Sequence, residues 1–260
     1  MLTWWAGVAT TLIKNSNLFG KFNKEFLVLE IDERSLKGIY NVLPAINLCI
    51  SNLQKDQAQR NGDPDFIYRM FKDTINKNMT LFVNNEEPRS RGLEDFAGKV
   101  VYYSLEKNSK TFTKEDFYTV TLPCPKCNHK IKYEYYNIDN IGKFKCTNCS
   151  YESSENPDVL ITDIDYENHT FKCGKDSYKV SYANPFYIYN YALCIAICKK
   201  FPIIPRINII KVDFLYLFSI IFKVILKSFP KEVQFINSKI LISFDVSFGW
   251  SSGSLSIYFE

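Results

Sequence analysis

Cys124-Pro-Lys-Cys127 and Cys146-Thr-Asn-Cys149 decide how the middle of this chain is built. The two knuckles enclose 18 residues, Asn128 to Lys145. Each CxxC can bring two thiolates to one metal ion, and this separation fits a tetrahedral four-cysteine zinc ribbon. Tyr133, Tyr135 and Tyr136 favour strand, while Asn128, Asn140 and Gly142 favour turns, so the intervening segment is predicted to be a hairpin. Lys143-Phe-Lys145 leads into the second knuckle. Four thiolates close a zinc shell and leave no position for water or substrate, which makes a structural role the expectation. The competing reading is a free-standing ribbon on nucleic acid, carried by Lys126, His129, Lys130, Lys132, Lys143 and Lys145. Glu134, Asp139, Glu152 and Glu155 dilute that charge, so no nucleic-acid partner is expected.

Working outward, Phe26 to Ile31 is an apolar run ending in Asp32-Glu33. It reads as a buried parallel strand with carboxylates at its carboxyl end, the edge at which open α/β sheets bind ligands. Ala45–Ile50, Thr80–Val83 and Lys99–Tyr103 are further strand candidates. Asp65–Asn76 carries apolar residues at helical spacing, Phe66, Ile67, Met70, Phe71 and Ile75. This alternation predicts a mostly parallel α/β sheet, which the ribbon interrupts. Beyond it, Val159–Asp165 and His169–Val180 read as short antiparallel strands and Ile188–Lys199 as a helix. Residues 1–118 and 157–200 are therefore expected to form one domain, 119–156 an insertion, and 201–260 a divergent apolar tail that packs poorly.

The 260 residues can bury a full core, and a net charge of +4 is too modest to demand a polyanionic partner. The aromatic share is 16%, with 21 Phe and 17 Tyr, which supplies ample bulk for such a core. Cys49, Cys173, Cys194 and Cys198 lie among apolar residues and read as buried thiols. Free thiols beside metal-site cysteines point to a reducing, cytoplasmic location. Met1-Leu-Thr-Trp-Trp has neither the basic region nor the cleavage site of a secretory signal. The uncharged run Phe214–Phe222 is too short to cross a bilayer, which takes about 20 residues. His129 and His169 read as surface residues.

Several of these stretches together resemble the Mur ligase family. Leu29-Glu-Ile-Asp-Glu33 is similar to its strand-end acidic motif. Ser51-Asn-Leu-Gln-Lys-Asp-Gln57 continues to Asp63 like its T-N-L-x-x-D-[HQ]-x-D-x-x-G-E segment. Val83-Asn-Asn-Glu-Glu-Pro88 resembles L-N-A-D-D-P, and Tyr189-Asn-Tyr-Ala-Leu193 resembles the Y-N-x-x-A helix start. The ribbon, Gly142 to Cys149, Pro157-Asp158, Gly7-Val-Ala-Thr-Thr-Leu12 and the glutamine after Asp56 are similar to the MurT-type branch. The similarity covers roughly residues 1–200.

The resemblance implies an incomplete Mur-ligase central-domain sheet carrying an inserted ribbon. It implies an ATP- and Mg²⁺-dependent amidation of the D-glutamate α-carboxyl of lipid II, in peptidoglycan biosynthesis, with ammonia from a GatD-type glutamine amidotransferase partner. Glu30 aligns with an acidic Mg²⁺ ligand, Gln57 with a second metal position and Asn190 with the asparagine that approaches the nucleotide. Read without the resemblance, Glu30, Asp32 and Glu33 are a solvated helix start and Asn190 a helix N-cap. The family's Walker A pattern, G-T-N-G-K-[ST], occurs nowhere in these residues, and Phe248–Ser254 does not match its K-N-P-x-G-F-N motif. Ile236–Ser243 resembles one of its later strands. The expectation is an inactive or partial copy that does not catalyse the amidation by itself, with a non-catalytic partner-binding remnant as the alternative.

Overall fold

A computed structural model describes residues 2–21, 27–29, 31, 33–53, 64–114, 119–201 and 241–243. Its core is a mixed sheet in the order β8-β7-β6-β3-β2-β1-β9. The strands are β1 (Asn47–Ile50), β2 (Thr80–Asn84), β3 (Lys99–Leu105), β6 (Val159–Asp165), β7 (Thr170–Cys173), β8 (Asp176–Lys179) and β9 (Leu241–Ser243). From β9 through β6 every pairing is parallel, and β7 and β8 close one side as an antiparallel hairpin. The ribbon, with β4 (Ile131–Tyr133) and β5 (Phe144–Cys146), interrupts the chain between the neighbouring strands β3 and β6.

The central strands alternate their side chains between two separate cores, as the two-residue period of a pleated strand requires. Leu48, Ile50, Leu81 and Val83 face α1 (Leu2–Lys14), α2 (Leu36–Val42) and α3 (Pro64–Lys72) through Val8, Leu36, Ile39, Ile67 and Phe71. Cys49, Phe82, Tyr103 and Leu105 face α5 (Pro185–Lys200), which buries Ile188, Ala192, Leu193 and Ile195 against them. A strand buried on both faces reads as a continuous apolar run, as Leu48–Ile50 does within the fully buried β1. The four cysteines outside the knuckles are all buried in this body. His129 is exposed and His169 only half-buried.

Two local expectations change. The run at Phe26–Ile31 forms no strand at its described positions, Leu27–Leu29 and Ile31. Val28, Leu29 and Ile31 are buried nonetheless, while the outer edge of β1 pairs with β9. An apolar run reports burial, and only an available sheet edge turns burial into a strand. Helix α5 begins at Pro185 rather than near Asn190. Asn184 is its cap, with extended backbone and a side-chain oxygen that accepts the Tyr187 N–H at 2.9 Å. Asn190 lies inside the helix, half-buried. The Phe214–Phe222 run lies outside the described residues. Among those described, no helix is long and apolar enough to cross a membrane.

Removing the α5 cap leaves the Tyr187 N–H without its partner. Asn184→Ala is expected to lower stability by about 1 kcal/mol in urea unfolding, with an unchanged m-value. A change below a few tenths would show that the cap contributes nothing.

Candidate functional site

The four knuckle cysteines converge, with all sulfur atoms within 4.8 Å of one another. Cys127 and Cys146 approach to 3.4 Å and Cys124 and Cys149 to 3.7 Å. A tetrahedral shell with metal–sulfur bonds of about 2.3 Å places its sulfurs roughly 3.8 Å apart. Backbone N–H groups point into the cluster, Lys126 toward Cys124 and both Asn148 and Cys149 toward Cys146. Such bonds favour thiolate. Asn128 turns the first knuckle in the left-handed region, φ 63°, which asparagine tolerates better than most residues. Ile131, Phe144 and Tyr151 form a small core beneath the sulfurs. This donor set can hold a metal ion, and a closed thiolate shell serves structure rather than catalysis.

A second constellation lies at the carboxyl ends of the parallel strands. Chain leaving β2 runs through Asn84-Asn-Glu-Glu-Pro88 into α4 (Pro88–Arg91), and Asn84 through Glu87 are all buried. Glu87 caps α4, accepting the Arg89 N–H at 3.1 Å and the Ser90 N–H at 2.7 Å. It also accepts the Leu53 N–H at 3.2 Å, which ties the segment after β1 to it.

Glu86 is the junction of four parts of the molecule. Its carboxylate accepts the Leu105 N–H from β3 at 2.9 Å and the Tyr189 hydroxyl from α5 at 2.8 Å. The Asn137 amide, from the loop joining β4 to β5, donates at 3.2 Å. Its own carbonyl accepts the Gly142 N–H at 3.0 Å. Gly142 must be glycine here, because a Cβ would stand 2.0 Å from the Tyr135 carbonyl oxygen. Burial pushes the Glu86 carboxyl up to about 7, against the bonds from Leu105, Tyr189, Ser104 and Tyr135 that lower it.

The sequence-derived candidates separate accordingly. Cys124, Cys127, Cys146 and Cys149 come together as expected. Glu30 and Gln57 lie outside the described residues. Asn190 follows Tyr189, whose hydroxyl reaches Glu86. Of the acidic cluster after residue 30, Glu33 is buried and opens a short 3-10 turn, so it is not a solvated helix start. Glu86 and Glu87 received no individual role from sequence, although the acidic strand end was visible. Nothing in the sequence marks Asn137 or Tyr189 as their partners.

Comparison with known proteins gives a consistent result. No family model matches the chain. It is 25% identical over 197 residues to the MurT subunit of lipid II isoglutaminyl synthase (glutamine-hydrolysing) from Streptococcus pneumoniae strain R6, covering 74% of this chain and 43% of that one. The MurT subunits of Staphylococcus aureus strains COL and N315 are each 25% identical over 187 residues, covering 71% of this chain and 41% of theirs. The chain thus spans about two-fifths of the length of the curated relatives it matches. A pseudomurein peptide ligase type C from Methanothermus fervidus superimposes with a TM-score of 0.50 at 20% identity, over 66% of this chain and 33% of that one. That likeness concerns the fold alone.

Glu86 should make stability depend on pH. Its folded-state value lies above that of a solvated glutamate, so the folded protein keeps a proton that the unfolded chain has released. Stability from this group therefore falls as pH rises from about 4.5 to about 7 and is level above that. Glu86→Gln should flatten that decline when urea unfolding is followed across the same window. An undiminished slope would place the titration elsewhere.

The MurT-type resemblance read from the motifs is borne out, and the chain is a sequence relative of the MurT subunits whose sheet superimposes on part of the Methanothermus fervidus protein.

Proposed function

We propose that these residues form the ribbon-bearing part of a MurT-type subunit that takes part in ATP-dependent amidation of lipid II. The observation that supports this best is a combination. A four-cysteine ribbon is inserted between β3 and β6 of a parallel sheet, and it rests on the acidic segment that follows β2. Similarity to MurT subunits over about three-quarters of the chain supports the same reading.

In this reading the cysteines hold one structural Zn²⁺, and the strand ends belong to the nucleotide-handling face. Glu30 and Gln57 approach Mg²⁺, and Asn190 approaches the nucleotide. ATP would activate the D-glutamate α-carboxyl of lipid II as an acyl phosphate, whose carbonyl ammonia can attack. A GatD-type glutaminase supplies the ammonia, and the setting is the cytoplasm. Mg²⁺ takes part of its shell from substrate phosphates, which need a backbone cradle and a lysine to hold them. The Walker A pattern that provides both is not among these 260 residues. The residues in hand are therefore the scaffold for that chemistry rather than its complete machinery. Nucleic-acid binding by the ribbon has less support, because Lys126, Lys143 and Lys145 are ion-paired to Glu94, Glu134, Glu155 and Glu152.

Metal analysis tests the zinc assignment. The purified chain should carry about one zinc, lost in Cys146→Ser, and equal zinc in both would remove the ribbon site. The reaction is tested by co-expression with a GatD-type glutaminase and an assay with lipid II, glutamine and Mg-ATP. The two proteins should co-elute, and these 260 residues alone should give no product above the glutaminase control. Failure to co-elute would count against the partner. Product, or micromolar ATP binding by calorimetry, would reveal a phosphate site in the chain outside the family's pattern.

A further inference from the structure

The ribbon does more than fold on itself, because a dense set of its contacts with the rest of the molecule falls on one short stretch, Asn85 to Asp95. The Asn85 amide donates to the Ser154 carbonyl at 2.8 Å, and the Ser154 N–H returns a bond to Asn85 Oδ1 at 2.9 Å. Asn137 and Gly142 hold Glu86 from the side chain and from the backbone. The buried Tyr151 hydroxyl donates to the Pro88 carbonyl at 2.6 Å. The Arg91 guanidinium lies between the Tyr102 ring, 4.8 Å away, and the Tyr151 ring, 5.8 Å away, while donating to Asn85 Oδ1 at 2.9 Å. The first knuckle reaches the same stretch. Its Pro125 ring lies against Gly92, and Lys126 pairs with both Glu94 and Asp95.

We propose that the ribbon is a metal-dependent clamp that sets the conformation of the segment bearing Glu86 and Glu87. Cys124 and Cys146 immediately neighbour residues that touch this segment or its supports. Cys124 precedes Pro125, and the Cys146 N–H donates to the Tyr151 carbonyl at 2.8 Å. Small metal modules draw their folding free energy from the ion. Without it, a core as small as Leu122, Ile131, Phe144 and Tyr151 cannot keep the two knuckles in register. Tyr151, Ser154 and Gly142 would then lose their fixed positions together, and Glu86 would lose the Gly142 bond to its backbone carbonyl, while Asn137 keeps anchors outside the knuckles in Asn108, Thr111 and Tyr189. Metal occupancy thereby becomes an input to the strand ends. The proposal rests on the metal reading of the cysteines and not on the reaction assigned to the chain.

Two substitutions release the clamp without touching a thiol. Tyr151→Phe deletes the bond to Pro88 and keeps the ring. Gly92→Ala acts by sterics alone. Gly92 has ordinary helical backbone angles, φ −59° and ψ −15°, so alanine is unstrained there. Its Cβ, however, would lie 2.6 Å from Pro125 Cγ and force the knuckle away.

Hydrogen exchange of the whole chain, read beside its zinc content, tests the proposal. Chelation should speed exchange in residues 85–95 along with the ribbon, while the β7–β8 hairpin, residues 170–179, keeps its protection. Tyr151→Phe and Gly92→Ala should retain zinc and still exchange about ten-fold faster in residues 85–95, the effect of losing one buried hydrogen bond. If the protein carries no metal, the zinc reading fails and the clamp with it. If zinc binds but its removal loosens only the ribbon, the clamp alone is overturned. Should chelation unfold the hairpin as well, the two variants decide by the same criterion. Parent-like protection of residues 85–95 in both would overturn the proposal.

Discussion

A carboxyl group buried away from solvent is the constraint on which the rest of this structure turns. Glu86 is 1% exposed, and burying an ionised carboxyl is costly unless donors replace the lost solvent. Here the donors come from β3, α5 and the ribbon, so those three must arrive together for the group to be accommodated at all. Donation by the Tyr189 hydroxyl fixes the height of α5 over the sheet. Asn137 is itself held by Thr111 and Asn108, which fixes the approach of the ribbon. Even so, desolvation prevails over the hydrogen bonds and leaves the carboxyl near neutrality rather than fully ionised. A polar junction of this kind specifies one arrangement of its parts more than it adds stability, because a half-made network would be worse than an apolar one.

The same junction explains how an insertion can sit in a parallel sheet without disrupting it. The β3-to-β6 crossover is where such a sheet normally places a connecting element, since parallel neighbours cannot be joined by a tight turn. Here that connection carries a ribbon with its own core and its own pair of strands. Its cohesion is local, and its placement is a matter of specific bonds to residues 85–95, to Asn108, Thr111 and Phe112, and to Tyr189. Asp158 completes the return by accepting the Tyr102 N–H at 2.7 Å, which aligns β6 as the chain re-enters the sheet. Exposed ion pairs such as Lys145–Glu152 add little to this, being screened by solvent.

Much of this was legible in the sequence, and the reason is periodicity and spacing. Thr80–Val83 and Lys99–Tyr103 announced buried strands because both faces of the sheet are covered. Val159–Asp165 was recovered with its boundaries intact. The two CxxC pairs foretold the convergence of four sulfurs, because a knuckle is a local geometry. Where local and global signals differ, the sequence alone misleads. Phe26–Ile31 has a strand's composition, yet its described residues are buried without a ladder, and β1 pairs elsewhere. Asn190 has a capping residue's chemistry, yet Asn184 holds the cap, since Pro185 is already set for the first helical position.

By itself, then, the sequence determined the class of fold, the inserted ribbon, the cysteines that could hold a metal ion and the likeness to MurT. Each depends on residues close together in the chain, or on a pattern that survives 25% identity. Only the tertiary structure decided that Glu86, Asn137 and Tyr189 meet, and that Gly92 lies against Pro125. Glu86, Asn137 and Tyr189 are separated pairwise by 51, 52 and 103 positions. No local propensity encodes such a meeting. It follows from the sheet order that brings β2, β3 and β6 side by side, and from the desolvated carboxyl that every neighbouring element must satisfy.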